Sequence, residues 1–348
     1  MNSTQYVLEV DNLAVEFDTY GGVVQAVRDV SFKLRKGKTL AIVGESGCGK
    51  SVTVQSLMGL IPMPPGRITR GSARLGGDEL LHIAPAALNA IRGKRIGMIF
   101  QDPMSALNPT MSIGAQIAET LVVHRGMTAS AARTEVLELL HLTQIPEPEQ
   151  RLNQYPFECS GGMLQRAMIA MSIACKPEVL IADEPTTALD VTIQAQILLL
   201  LKQLQQSHGL SIILITHDLG VVAHMAHDVA VMYAGQVVES APVDDLFYRP
   251  AHPYTLGLRA ALPGNDPQKQ RLQIIPGSPP DLFAPPPACA FADRCPHTMR
   301  LCRSAAPATY TRPPPPASQA STNSAHEARC WLHHPQAPSS PVRSSAAT

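Results

Sequence analysis

The chain has 348 residues, with 28 Lys and Arg against 28 Asp and Glu, so its formal charge is zero and nothing in the balance draws it to nucleic acid or an anionic lipid surface. That length buries a sizeable core, either as one large domain or as a core with an appendage, and no disulfide or metal staple is obligatory. The first eleven residues lack the basic and apolar blocks of a leader, and no run approaches the ~18 apolar residues of a spanning helix, so the sequence predicts a chain made and kept in the cytoplasm with its seven cysteines reduced.

In chain order, residues 8–17 and 26–34 alternate as strands, and the apolar run 40–43 reads as a buried strand followed at once by a glycine-rich turn. Residues 96–100, 179–182 and 211–216 are further strands, each ending at a polar residue, where open α/β sheets bind their ligands. Between them Ile113 and Ile117 mark one helix. Thr128 caps another that carries Ala132, Val136, Leu139 and Leu140 on one face. The pattern predicts an α/β domain over 1–250 with a helical insert at about 103–174. Beyond residue 263 lie about half of the 31 prolines and four of the cysteines, a separate loop-rich appendage at 251–334. The Ser, Ala and Pro stretch 335–348 is too poor in apolar groups to order itself.

The first chemical motif is Gly44-Glu45-Ser46-Gly47-Cys48-Gly49-Lys50-Ser51, which satisfies G-x-x-x-x-G-K-[ST] between a strand and a helix. Glycines let successive backbone N–H groups turn inward onto phosphate oxygens, and the helix N-terminus adds its dipole. Lys50 then reaches the β and γ phosphates of ATP, and Ser51 offers a hydroxyl to Mg²⁺. The second motif is the apolar strand 179–182 ending in Asp183 and Glu184. An acidic pair in that place suits Mg²⁺ coordination by Asp183 and activation of the attacking water by Glu184.

Cys159-Ser160-Gly161-Gly162-Met163-Leu164-Gln165-Arg166, a short helix upstream of that strand, resembles the signature loop of ABC ATPases. The resemblance implies a P-loop NTPase core with an antiparallel β subdomain and an inserted helical subdomain. It also implies that Ser160, Gly161 and Gly162 close over the γ-phosphate held by a second, related ATPase subunit, so that one complete site needs two chains. By position in the family, Gln101 links the γ-phosphate to the permease-contacting surface, Asp190 belongs to the segment after the carboxylates, His217 senses the γ-phosphate, and Phe17 stacks on adenine. Cys159 stands where the family has Leu, and Met163 where Gln is common. Met163 is familiar in the peptide-importer branch, and Leu164 has no reading from sequence.

Residues 247–255, 276–280 and 289–296 resemble the C-terminal extension of oligopeptide and dipeptide importer ATPases. Membership implies a peripheral subunit on the cytoplasmic face of a bacterial inner membrane, beneath two permease subunits and served indirectly by a peptide-binding protein. Nickel and glutathione importers are the sister alternatives. Non-transport ABC ATPases, which carry coiled-coil inserts or tandem domains, and inactive regulatory subunits rank below them. Cys289, Cys295, Cys302 and Cys330, spaced C-x₅-C-x₆-C and a longer gap, are four thiols in the segment least able to build its own core. Four thiolates ligate zinc or iron–sulfur centres. The absence of close pairs weakens zinc, and the resemblance implies a four-iron cluster, while His297 and His333 keep mixed zinc ligation open. Lying far in sequence from the ATP motifs, the extension is expected to leave the catalytic groups intact when it is lost.

Overall fold

The computed structural model describes residues 5–187, 189–262, 274–313 and 325–337. Ala188, prolines 314–316 of the proline-rich run, and the tail expected to be disordered from residue 338 onward lie outside the described residues. The strands, in chain order, are β1 Tyr6–Thr19, β2 Gly22–Arg35, β3 Thr39–Val43, β4 Gly66–Leu75, β5 Asp78–Glu79, β6 Ile96–Ile99, β7 Val179–Asp183, β8 Ser211–Thr216, β9 Asp228–Tyr233, β10 Gln236–Pro242, β11 Tyr310–Arg312 and β12 His326–Ala328. Two compact units emerge, one from residues 1–8, 33–39 and 75–215, the other from 9–32, 40–74 and 216–348.

The first unit carries β6, β7 and β8 as parallel neighbours, with Ile96 opposite Val179 and Val179 opposite Ser211. Every residue of these three strands is buried, as continuous apolar runs covered on both faces require. Helices fill most of the stretch between β6 and β7: Pro103–Ala106, Ile113–Arg125, Ala129–Leu142, Pro148–Arg151 and Gly161–Ile173. Ser112 and Thr128 cap two of them by accepting from Ala115 and Ala131 N–H groups. The buried face of Ala129–Leu142 is Ala132, Val136, Leu139 and Leu140, the set that the periodicity predicts. Helix Val191–His208 follows β7, with Ile197, Leu200, Leu201 and Leu204 buried.

In the second unit the strand order is β4-β1-β2-β10-β9-β3. Leu40 to Val43 of β3 run parallel to β9, and β9 turns back antiparallel along β10. The chain beyond residue 251 joins this unit through β12, antiparallel to β10, with β11 at its side. A buried carboxylate fixes that junction. Glu239 of β10 accepts the N–H groups of Ala251 and His252 at 2.7 Å each, and Oε1 lies 2.9 Å from His326 Nε2. Burial alone would raise its carboxyl, but His326 and the Ala251 N–H outweigh it and hold Glu239 below the ordinary carboxylate range. Among the described residues no helix is long and apolar enough to cross a membrane.

Candidate functional site: a phosphate loop and a strand-end carboxylate

In the second unit the loop after β3 opens into helix Lys50–Leu57, with Gly49 as its N-cap at φ 98°. Gly47 and Gly49 take φ of 78° and 98°, and a Cβ on Gly49 would collide with the Ala26 carbonyl oxygen, so a side chain is excluded there on two counts. Lys50, 5% exposed, folds back so that Nζ donates to the carbonyls of Gly44 at 2.9 Å and Glu45 at 3.0 Å. A buried ammonium in a curl of backbone at a helix N-terminus has the chemistry to hold a polyphosphate, and Ser51 at the second helical position is placed to ligand a divalent cation beside it. Cys48 is buried, and that burial raises its thiol despite the nearby Lys50 charge, so it behaves as a packing group.

Phe17 lies half-buried in β1. Its Cε1 sits 3.2 Å from the place a Cβ on Gly66 would occupy, while Tyr20 in the following turn is fully exposed. His217 is exposed directly after β8, ahead of Asp218, whose carboxylate caps helix Leu219–Met225.

In the first unit β7 ends on Asp183, 3% exposed, and Glu184, which adopts φ 46°. That left-handed backbone costs a residue with a Cβ about 1–2 kcal/mol and is held by two bonds, Glu184 N–H to the Ile215 carbonyl at 3.0 Å and Thr187 N–H to the Glu184 carbonyl at 3.1 Å. Its Oε2 accepts from Gln101 Nε2 at 3.2 Å and from Thr187 Oγ1 at 2.9 Å. Sequence reading gives Gln101 and Glu184 separate tasks and places Thr187 only in the segment that follows the carboxylates; its hydroxyl at i+3 of a tight turn is the signal for its contact with Glu184.

Ser160 caps helix Gly161–Ile173 by accepting from the Met163 N–H at 3.4 Å. Gly162 lies where a Cβ would come 3.0 Å from Ile193, whereas one on Gly161 would find Leu189 at 3.8 Å. Leu164, unreadable in sequence, is 1% exposed and belongs to the core. Gln165 donates from Nε2 to the Pro185 carbonyl at 2.7 Å, tying this helix to the turn after Glu184. Asp190 uses Oδ1 to cap helix Val191–His208, accepting from Thr192 and Ile193 at 3.0 Å each.

One expectation needs correction. The extension does not stand apart from the ATP motifs: the Tyr254 hydroxyl accepts the Glu45 N–H at 2.9 Å, and Arg294 Nη1 lies 2.8 Å from Glu45 Oε2. Distance in sequence says nothing about distance in space once β9 and β10 lead the chain back. The four-cysteine centre expected of Cys289, Cys295, Cys302 and Cys330 finds no support in the placement of the side chains. Among the described residues no group of three or more His, Cys, Asp or Glu side chains is placed to hold a metal ion. Packing divides the thiols: Cys289 and Cys295 lie against the core that contains Tyr233, Tyr254 and Phe291, and Cys330 clusters with Leu332, Leu256 and Met299. They remain in electrostatic reach of one another. Burial, and then the neighbouring thiols Cys289, Cys295 and Cys302, push Cys330 up to about 12, and burial pushes Cys295 up to about 11.

Residues 27–187 match the family model described as ABC transporter, and 238–302 that described as oligopeptide/dipeptide transporter, C-terminal region. The dipeptide transport ATP-binding protein DppD of Bacillus subtilis is 53% identical over 331 residues, spanning 95% of this chain and 96% of that protein. The oligopeptide transport ATP-binding protein OppD of the same organism is 54% identical over 333 residues, 95% of this chain and 90% of that one. Among solved structures, the dimeric post-hydrolysis state of the ATP-binding cassette MJ0796 bound to ADP and Pi superposes with a TM-score of 0.61 at 26% identity, over 68% of this chain and 98% of that one. The α/β P-loop class, with its phosphate loop, strand-end carboxylates and capped signature helix, is thereby shown, and the chain belongs to the ATP-binding proteins of the ABC transporter family, in the branch that carries the oligopeptide/dipeptide transporter C-terminal region.

Proposed function

We propose that this chain hydrolyses ATP to energise the import of dipeptides or oligopeptides through an ABC transporter. The observation that carries the reading is likeness to peptide-transport ATP-binding proteins over 95% of the chain. The intact loop and the Glu184 carboxylate held by Gln101 and Thr187 support it. Gly44 to Ser51 bind the phosphates, Lys50 balances their charge, Ser51 and Asp183 hold Mg²⁺, and Glu184 takes the proton from the attacking water. Bound Mg²⁺ supplies charge neutralisation on the phosphoryl oxygens. Phe17, His217, Asp190, Ser160, Gly161 and Gly162 take the family roles of adenine stacking, γ-phosphate sensing and closure across a dimer.

We place the subunit on the cytoplasmic face of the membrane, beside a second related ATPase and beneath two permease subunits, with a peptide-binding protein acting outside. Residues 1–250 form the ATPase and 251–334 the extension. Deleting the gene is expected to abolish uptake of a labelled dipeptide or small oligopeptide, and restoration by the native chain but not by Glu184→Gln completes the test. Persistence of peptide uptake with loss of nickel or glutathione uptake would transfer the assignment to a sister importer.

Within the extension we propose Cys289, Cys295, Cys302 and Cys330 as ligands of a four-iron cluster, on the strength of their thiol donor chemistry and of the resemblance of the segment to the peptide-importer extension. Anaerobic purification followed by iron, sulfide and zinc analysis of the native chain and Cys295→Ser tests this. Stoichiometric zinc without iron replaces the cluster by a zinc site, and absence of metal removes the proposal.

A further inference from the structure

We infer that Arg294 and Tyr254, in the C-terminal extension, are positioning residues of the phosphate loop that set nucleotide affinity through Glu45. The inference rests on the ATPase reading above and names a further control on the same site.

Glu45 is the second residue of the loop and is held at three points. Its N–H goes to the Tyr254 hydroxyl at 2.9 Å, its carbonyl accepts from Lys50 Nζ at 3.0 Å, and its carboxylate meets Arg294 Nη1 at 2.8 Å. Whatever moves Glu45 therefore moves Lys50, the cation that faces the phosphates. The acid also has an electrostatic consequence. It remains 26% exposed beside a loop built for a polyanion, and left unpaired it would repel the phosphates.

Arg294 removes that repulsion, and its surroundings show a group held for the purpose. The guanidinium is 7% exposed, donates from Nε to the Pro276 carbonyl at 2.8 Å and from Nη1 to the Tyr233 hydroxyl at 3.2 Å, and lies 5.7 Å from the Tyr233 ring centroid. A fork fixed by extension backbone and a core aromatic loses little further freedom on pairing with Glu45. Tyr254 is fixed in the same way: fully buried, its ring lies 4.7 Å from Tyr233 and 5.4 Å from Phe291, so its hydroxyl is aimed by packing. Pro253 and Cys295, the immediate neighbours of these two residues in the sequence, belong to the extension, so the segment with the thiols is wired into the loop.

The test is equilibrium binding of a fluorescent ATP analogue to the purified full-length chain. Arg294→Gln is expected to weaken binding about tenfold, and Arg294→Lys, which keeps the charge and loses the fork, to recover part of it. The deciding variant is Glu45→Gln in the Arg294→Gln background. With the repelling carboxylate neutralised, affinity is expected to return to within about twofold of native, a rescue that a merely structural arginine would not show. Tyr254→Phe retains the ring packing and removes the acceptor, and is expected to raise Kd severalfold with unfolding temperature little changed. In the assembled transporter the Arg294 and Tyr254 single changes are expected to appear in KM more than in kcat. Unchanged affinity in both Arg294→Gln and Tyr254→Phe, or no recovery in the double variant, overturns the inference. A native chain that binds no analogue, or binds it equally well after Lys50→Ala, overturns the ATPase reading instead.

Discussion

Gln101 and Thr187 donate to the same oxygen of Glu184, at 3.2 Å and 2.9 Å, so the carboxylate is oriented by the protein itself. Orientation of the water-activating group is what phosphoryl transfer asks of a protein, since the chemistry needs positioning more than covalent help. Glu184→Gln keeps the shape and removes the base. Steady-state ATP turnover of the assembled transporter is expected to fall by about 10²–10⁴-fold, with nucleotide binding preserved. Turnover near native would remove Glu184 from its role.

Lys50 contributes charge rather than shape. Native protein with ATP and Mg²⁺ at about 100 times Kd is expected to gain about 2.7 kcal/mol of stability, read as a rise in unfolding temperature. Lys50→Ala is expected to lose that rise, because the buried ammonium proposed to balance the phosphate charge is gone. An equal rise in the variant contradicts the phosphate-loop assignment.

The two glycines of the signature loop separate packing from function. A side chain on Gly162 meets Ile193 at 3.0 Å, so Gly162→Val is expected to destabilise the isolated chain by about 1–3 kcal/mol in urea unfolding. Gly161→Ala, with Leu189 at an ordinary 3.8 Å, is expected to leave stability within about 0.5 kcal/mol while lowering ATPase turnover of the assembled transporter. Equal destabilisation by both would contradict the packing described for Gly162.

Much of this was legible in sequence for identifiable reasons. Strands buried on both faces announce themselves as apolar runs, which is why β3, β7 and β8 fall within a residue of expectation. The Thr128-capped helix was readable to the residue because cap and stripe agree. What could not be read are contacts made by return of the chain. No local period reports that Arg294 meets Glu45, and the hydroxyl of Tyr254 looks in sequence like any other aromatic after a proline. Leu164 and Asp190 show a second limit: family position says nothing of Leu164's burial, and it does not reveal that Asp190 spends its Oδ1 on two backbone N–H groups.

Acid lability follows from His252, which caps helix Pro253–Ala260 by accepting the Tyr254 N–H on Nδ1 at 3.0 Å. Burial, aided by the charge of His333 and opposed by Glu239, lowers it from 6.5 to about 4. Between these values the unfolded chain binds a proton that the folded chain does not, so stability falls as pH drops from about 6.5 toward 4, by up to about 3 kcal/mol. Glu239, also depressed, adds a loss in the same direction as pH falls from the ordinary carboxylate range toward its folded value. His252→Asn retains a cap acceptor and is expected to flatten urea-unfolding stability between pH 6.5 and 4.5. An unaltered slope would assign the lability to other groups.

Glu45 and Arg294 are separated by 249 positions. At about 5 to 20 residues per second, a ribosome takes about 12 to 50 s to travel from one to the other. For that interval the emerging loop has its glycines and its lysine but carries an acid whose counter-charge has not yet been made, and until residue 254 is added it also lacks the tyrosine hydroxyl that anchors the Glu45 N–H. If Arg294 and Tyr254 set nucleotide affinity as inferred above, full affinity is expected late in synthesis, and a chain cut short before residue 294 is expected to compete poorly for cellular ATP.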